Sequence, residues 1–441
     1  MDEVRAVPDN GLRVASTFAG CGGSCLGYRM AGYRVLWAND NDPHAAETYA
    51  VNFPDTALDR RDVHEVTAED VLEACDLAEG ELDVLDGSPP CQSFSTAGKR
   101  RVNDPRGTLF GEFARILAGV RPRAFVAENV PGMAVGTMRG MFKAVHAMLR
   151  DVGYRLEVRR LDAQWLGVPQ SRRRLIFVGV REDLDLEPAF PSPMPWRYSV
   201  AEACPWLTRV VHDTSGLFGA GEVTDRPYPA VTVGVESLNM YHFKVVEKTG
   251  GQCDHELAPD RPVHTIRAGR SGHIKLAANA YLYVRGYRRD GEEDQLDRPA
   301  PSVIHEGIGN VGQRQAFLVG VGDPPDEAPS LEGTALGEEA KTLKPGEKSR
   351  RYLNLVSADP KKPSPTVTSV GGSHPGTASV VVGARKFSIL ELKRVCSFPD
   401  DFEIPGSYAQ QWARLGNAVP PLMMRSVAET LAPGLTDPDE R

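Results

Sequence analysis

From Arg13 to about Arg181, short apolar runs alternate with longer amphipathic stretches. Apolar runs of strand length at 13–18, 34–40, 82–86, 124–128, 154–160 and 174–180 predict β-strands. Helical spacing over 43–52, 67–78, 107–119 and 137–151, each stretch opening near a proline or a capping residue, predicts the helices between them. Strands that alternate with helices imply βαβ units, so the expected fold class is α/β with a doubly wound, mostly parallel sheet. Ligands collect at the carboxyl ends of strands in such sheets. Three segments fall there: Phe18-Ala19-Gly20-Cys21-Gly22-Gly23, Ser88-Pro89-Pro90-Cys91-Gln92-Ser93-Phe94 and Glu128-Asn129-Val130.

The pattern changes after Asp185. Pro191, Pro193 and Pro195 interrupt the chain, and short β-branched runs follow turns at 225–229, 260–262, 297–301 and 362–365, each with a proline suited to the entry of an edge strand. Residues 321–350, crowded with Pro, Gly and Glu, read as a long surface loop. Near Arg385 the helical pattern returns, with Ser388 and Glu391 forming a capping box and a last helix over 420–431. The expected organisation is a catalytic domain over 1–189, an inserted β-rich domain over 190–375, and completion of the first domain by 376–441.

The chain has 441 residues, and 51 Lys and Arg against 59 Asp and Glu leave a formal charge of −8. Bulk positive charge therefore does not hold a nucleic acid, although Arg285, Arg288 and Arg289, and Lys341, Lys344, Lys348, Arg350 and Arg351, form local basic groups. No apolar stretch reaches membrane-spanning length, and the start lacks a leader pattern, so a cytoplasmic, non-membrane protein is expected. Seven cysteines without a paired Cys-x-x-Cys suggest neither a disulfide framework nor a metal site.

The glycine turn at 18–23 lets the backbone approach a ligand closely, though a tight strand-to-helix turn has the same composition. It lacks both glycine-rich phosphate fingerprints, while Asp40 at the end of the second strand suits ribose hydroxyls. S-adenosylmethionine, an adenosine carrying no phosphate, meets both conditions. Cys91 is a packed thiol or a nucleophile; the polar Gln92 to Thr96 and the basic Lys99, Arg100, Arg101 and Arg106 nearby favour the thiolate. Glu128 ends a very apolar run, so desolvation should raise its pKa toward a proton-donating role. Strand alternation points Arg172 and Arg174 to one face and Arg173 to the other, as a pair for a phosphate or base carbonyl, or as a solvated basic rim.

Together these segments resemble the DNA (cytosine-5) methyltransferase family of bacterial type. Phe18 to Gly23 is similar to its cofactor motif, Pro89-Pro90-Cys91-Gln92 to its nucleophile motif, and Glu128-Asn129-Val130 to its carboxylate motif. Gln170-x-Arg172-x-Arg174 is similar to its arginine motif and Gly416-Asn417-Ala418-Val419 to its final motif. The resemblance covers roughly 13–182 and 385–431, with 190–375 corresponding by position to a target recognition domain. It implies a class I methyltransferase fold and catalysis by Cys91, Glu128, Arg172 and Arg174 through a covalent adduct at carbon 6 of a flipped-out cytosine. It implies S-adenosylmethionine contacts from Phe18, Gly20, Gly22, Gly23, Asp40, Asn41, Asp62, Val63, Pro90, Leu109 and Asn417. Gln92, Ser95, Lys99 and Arg106 would belong to a loop closing on the DNA. Two departures stand out: Asn41 where an aromatic residue often stacks on adenine, and Cys396-Ser397 where Gln-Gly is common.

The resemblance further implies double-stranded DNA as partner, no metal, a monomer, and a nucleoid-associated place in the cytoplasm. A restriction-modification role, with a cognate endonuclease, or a solitary bacterial role would follow. An RNA cytosine-5 methyltransferase and a catalytically silent DNA-binding regulator are the rival readings; joint retention of the motif residues disfavours the second.

Overall fold

The computed structural model describes residues 1–90, 109–204, 207, 231–232, 240–249, 253–256, 273–285, 303–304, 315–319, 328–352, 355–369, 380–383 and 385–436. The chain forms two units, Met1–Ser199 with Pro329–Arg441, and Val200–Ala328. The described parts of 190–199 and 329–375, expected within the insertion, thus group with the first unit.

Seven strands build the first unit's sheet: β1 Arg13–Thr17, β2 Arg34–Asn39, β3 Ala57–Asp59, β4 Val84–Gly87, β5 Ala124–Asn129, β6 Tyr154–Asp162 and β7 Arg173–Arg181. Their order is β3-β2-β1-β4-β5-β7-β6. All neighbours run parallel except β7, which lies antiparallel to both β5 and β6. The helices are α1 Asp2–Arg5, α2 Gly23–Met30, α3 Pro43–Asn52, α4 Ala68–Cys75, α5 Leu109–Val120 and α6 Arg139–Asp151. Thr67 and Asp70 close a capping box on α4, and the Asp42 side chain caps α3 ahead of Pro43, as the helix-start signals require.

Register separates the sheet's two faces. On one face Ala15, Leu85 and Phe125 lie side by side, as do Ala127 and Phe177. These residues join Val71, Phe113, Ile116, Leu117, Val145 and Leu149 from α4, α5 and α6 in one apolar core. Gly179, opposite Phe125, has no room for a side chain: a β-carbon there would stand 2.0 Å from the Phe125 ring. On the other face Ser16, Asp86, Val126 and Val178 form a row, and Glu128, Ile176 and Arg159 form the next.

The second unit begins with α7 Val200–Ala203 and carries β8 Val231–Thr232, β9 Met240–Thr249, β10 Cys253–Glu256, β11 His273–Arg285, β12 Val303–Ile304 and β13 Gln315–Val319. These pair antiparallel in the order β10-β9-β11-β13-β12, with β8 on β11. The proline turns expected at 225–229, 260–262 and 297–301 lie outside the described residues.

The return segment departs from the expected surface loop. α8 Ala335–Thr342 is capped by Thr334, and Leu331, Leu336, Ala340, Leu355 and Val381 bury together. Leu336 and Ala340, four apart on α8, supply a buried stripe that outweighs the glycine and glutamate content around them. A small sheet of β14 Val356–Ser357, β15 Val380–Val382 and β16 Arg385–Lys386 follows. α9 Ile389–Val395 carries the foreseen capping box, and α11 Pro421–Leu435 is the final helix. Between them stands α10 Tyr408–Asn417, absent from the sequence reading, which buries Trp412 and Leu415.

Candidate active site

The glycine turn is held in shape by residues distant in sequence. Phe18 adopts φ 52, a left-handed conformation unusual for a side chain of its size. Gly20 (φ 57) and Gly22 (φ 91) share that region, where glycine carries no steric penalty. A β-carbon at Gly22 would strike the Phe53 ring at 2.2 Å, and one at Gly23 would come within 2.2 Å of the Val419 carbonyl oxygen. The final motif therefore packs directly on the cofactor motif. At Gly20 a β-carbon would meet nothing within 4 Å, so the turn is crowded toward the protein and open at Gly20.

Asp40 stands beside that opening. The Gly20 N–H donates to its Oδ2 at 2.8 Å and the Asp42 N–H to its Oδ1 at 3.0 Å. Burial raises the Asp40 pKa, while these two amide bonds pull it back. The Asn41 amide nitrogen donates to Asp62 Oδ2 at 3.4 Å, joining the ends of β2 and β3. Asp62 also accepts from the His64 N–H at 3.0 Å, which with the His64 ring lowers its pKa. Val63 is buried, its carbonyl accepting from Arg115 of α5 at 3.0 Å, and Leu109 packs on the adjoining core. Open space next to a carboxylate, an amide and an exposed second carboxylate suits hydroxyl and amino groups. S-adenosylmethionine fits this donor set. Asn417 ends α10 and is exposed, and Pro90 is exposed immediately before the nucleophile position.

Glu128 and Arg174 meet across β5 and β7. Glu128 is paired with Ile176, so Arg174, two residues before Ile176, lies diagonally from it on the same face. Arg174 Nε reaches Glu128 Oε1 at 2.5 Å, with both side chains only 12% exposed. Burial pushes the Glu128 carboxyl up, and the charges of Arg174 and then Arg172 oppose it. The carboxylate is thus desolvated yet partnered. The neighbouring Asn129 is buried; its Nδ2 donates to the Pro89 carbonyl at 2.9 Å, tying β5 to the segment that enters Cys91. Sequence reasoning placed Asn129 in a motif without giving it this role.

The two arginines of the 170–174 motif separate. Arg172 is 1% exposed and donates from Nη1 to the Val367 carbonyl at 3.0 Å, while its Nε has no partner. Burial, with the neighbouring Arg174 charge, lowers its pKa to about 10. Arg173 points outward to Asp162 at 3.1 Å. The expected pair of guanidiniums thus becomes Arg174 in the site and Arg172 inside the fold, because the segment 364–368 covers Arg172. That segment is fastened along its length. Ser171 N–H donates to Ser364 O at 2.8 Å, Ser364 N–H to Pro169 O at 2.9 Å and Trp412 Nε1 to Thr368 O at 2.8 Å.

Cys91, Gln92, Ser95, Lys99 and Arg106 lie outside the described residues. Among the described residues, Cys21, Cys25, Cys75, Cys204 and Cys396 are buried, and burial pushes Cys21, Cys25 and Cys75 up to about 12. No cluster of His, Cys, Asp or Glu able to hold a metal ion occurs among the described residues, nor a helix long and apolar enough to cross a membrane.

Comparison with known proteins agrees with this arrangement. A family model described as C-5 cytosine-specific DNA methylase matches residues 12–216 and 291–432. Type II methyltransferase M.AgeI of Thalassovita gelatinovora is 29% identical over 446 residues, covering 95% of this chain and 99% of that protein. Type II methyltransferase M.XorII of Xanthomonas oryzae pv. oryzae is 27% identical over 426 residues, covering 96% and 85%. A solved structure of a candidate DNA modification methyltransferase encoded within an E. coli prophage superposes with a TM-score of 0.57 at 20% identity. It covers 97% of this chain and all of that one, a likeness of fold.

Proposed function

The chain belongs to the C-5 cytosine-specific DNA methylase family, so its reaction is methyl transfer from S-adenosylmethionine to carbon 5 of cytosine in DNA; we propose that Cys91 is its nucleophile, Glu128 its proton donor and Arg174 the cation beside the reacting base. The observation that carries this division of labour is the Glu128–Arg174 pair at 2.5 Å, desolvated and two strand-ends from the glycine turn.

Carbon 5 of cytosine is weakly nucleophilic while the ring is aromatic. Addition of the Cys91 thiolate to carbon 6 breaks that aromaticity and makes carbon 5 nucleophilic. Among the described thiols, Cys21, Cys25, Cys75 and Cys396 are poor candidates because burial favours their neutral form. As the adduct forms, negative charge spreads over the ring, and a proton carried by Glu128 to ring nitrogen 3 neutralises it. Arg174 steadies charge at the base carbonyl oxygen, and the buried Arg172 adds a second positive charge that acts on Glu128. S-adenosylmethionine supplies the electrophilic methyl group, held by the turn at 18–23 and by Asp40, Asn41, Asp62, Val63, Pro90, Leu109 and Asn417. Water takes the carbon 5 proton, Cys91 leaves carbon 6 as a thiolate and the nitrogen 3 proton returns to Glu128, which restores the base and the enzyme. The base must leave the duplex first, at a cost of a few kcal/mol, and the basic residues Lys99 and Arg106, with Gln92 and Ser95, close over it.

The unit Val200–Ala328 reads the DNA sequence through the major groove. Similarity to Type II methyltransferases supports a restriction-modification role; a cognate endonuclease, a monomeric enzyme and action at the nucleoid in the cytoplasm complete the proposal. Methyl transfer from S-adenosylmethionine to duplex DNA, followed by bisulfite sequencing, tests this reading. Wild-type protein marks one cytosine in one sequence context and Cys91→Ser reduces transfer to background; a Cys91→Ser protein that still methylates overturns the nucleophile assignment.

A further inference from the structure

One buried acid beside the site has no part in this chemistry. Asp86 is next to the last residue of β4 and is 2% exposed. A parallel strand covered on both faces is ordinarily a run of Val, Ile and Leu, so a carboxyl there has a desolvation cost that something must offset. Its cross-strand neighbour in β1 is Ser16, whose hydroxyl donates to Asp86 Oδ2 at 2.8 Å. The hydroxyls of Ser24 and Tyr28, one turn apart on α2, are buried beside the same carboxyl and make no hydrogen bond of their own. Thr17 Oγ1 donates to the Asp86 carbonyl at 3.3 Å. The strands leave no slack: a β-carbon on Gly87 would stand 2.6 Å from Thr17 Oγ1 and 2.7 Å from the Phe113 ring.

The position of these partners in the sequence gives the contact its meaning. Ser16 and Thr17 lead straight into Phe18, and Ser24 and Tyr28 lead straight out of Gly23, so Asp86 is bonded to the entry of the cofactor turn and stands beside its exit. Along its own strand Asp86 leads through Gly87, Ser88, Pro89 and Pro90 to Cys91. A single carboxyl therefore fastens the start of the nucleophile segment to the entry of the cofactor turn and offers an acceptor to the two hydroxyls at its exit. We propose that Asp86 is a positioning residue, which holds the methyl-donor turn and the Cys91 segment in one mutual geometry without touching the reacting atoms.

This proposal rests on Cys91 being the nucleophile. Burial lifts the Asp86 pKa to about 7; the adjacent hydroxyls of Ser24, Ser16 and Tyr28 oppose the shift and the nearby Glu128 adds to it. The groups facing Asp86 are those four and Cys25. An asparagine would keep the shape, remove the charge and lose the acceptor geometry.

Steady-state kinetics of the full-length enzyme on duplex DNA, with thermal melting at pH 7.5, test the proposal. Asp86→Asn is expected to raise KM for S-adenosylmethionine and to lower kcat, each by roughly tenfold to a hundredfold, as small misplacements of reacting groups do. Its Tm should equal or exceed that of the wild type. Ser16→Ala should move both kinetic constants the same way by less. Wild-type kinetics in Asp86→Asn, or activity that falls only with the folded fraction, would overturn the proposal. If Asp86→Asn does not fold, wild-type kinetics in Ser16→Ala overturn it instead. Cys91→Ser measured alongside separates the two failures: full activity there removes the nucleophile assignment, whatever Asp86→Asn does.

Discussion

The two faces of the central sheet come from the same strands and do different work. Ala15, Leu85, Phe125, Ala127 and Phe177 point one way into an unbroken apolar core. Ser16, Asp86, Glu128 and Arg174 point the other way, onto a face where polar groups stand among Val126, Ile176 and Val178. The apolar face gains free energy from packing. The polar face holds desolvated acids, whose raised pKa values at Asp86 and Glu128 register the cost. Alternation with a period of two thus separates stability from chemistry within strands of four to nine residues.

Substitutions on the two faces should therefore fail in opposite ways. Glu128→Gln, on the polar face, is expected to lower kcat by about 10²- to 10⁴-fold, the range for a lost proton donor, with Tm unchanged or higher. Rapid-quench methylation assays paired with melting curves check this; a large drop in Tm would place Glu128 among the structural residues. Phe125→Ala, on the apolar face, should cost about 3–5 kcal/mol of stability. Phe125 packs edge-on to Phe113 and Tyr154, with ring centroids 5.8 and 5.2 Å away. Urea titration measures the loss, and turnover per folded molecule should stay near wild type.

A third prediction concerns pH. The folded-state pKa of Asp86, about 7, lies above the value near 3.9 of an unfolded aspartate. The folded state then binds the proton more tightly, so this group's favourable contribution is complete below about pH 4 and is lost as pH rises through 7. Wild-type stability relative to Asp86→Asn should fall by on the order of a few kcal/mol between pH 4 and 8, with Asn the more stable at the upper end. Chemical denaturation of both proteins across that range would show it, and parallel pH curves would contradict it.

The smallest effect lies off the sheet. Ser397 adopts φ 64, a conformation that favours glycine, and its hydroxyl accepts from the Leu422 N–H at 3.2 Å. Ser397→Gly relieves the backbone and loses the bond, so stability should change by less than about 1 kcal/mol. A larger loss, read from melting curves, would show that the serine hydroxyl matters more than the backbone does.

Much of this was legible in the sequence. The six longer strands and the four helices between them follow from apolar spacing, and the strand-end loops drew attention to Gly20, Cys91 and Glu128. β3 escaped because three residues ending in Asp carry no period. α10 escaped because its buried Trp412 and Leu415 stand among polar residues; its capping box, Ser407 with Gln410, was the available signal. The reasons for Gly22 and Gly23 were hidden because their neighbours, Phe53 and Val419, are remote in sequence. Alternation correctly separates Arg173 from its flanking arginines, but nothing local says that Val367 draws Arg172 inward. Asp86 was visible as a charge inside an apolar strand and received no attention there.

Covalent trapping is the most direct test of the chemistry assigned to Cys91. Incubated with S-adenosylmethionine and a duplex carrying 5-fluorocytosine at the methylated position, the wild-type enzyme should form a denaturation-resistant protein–DNA complex, because fluorine cannot leave carbon 5 as the proton does and expulsion of Cys91 from carbon 6 is blocked. Cys91→Ser should form none. A stable complex with Cys91→Ser, or none with an active wild-type enzyme, would contradict a covalent Cys91 adduct.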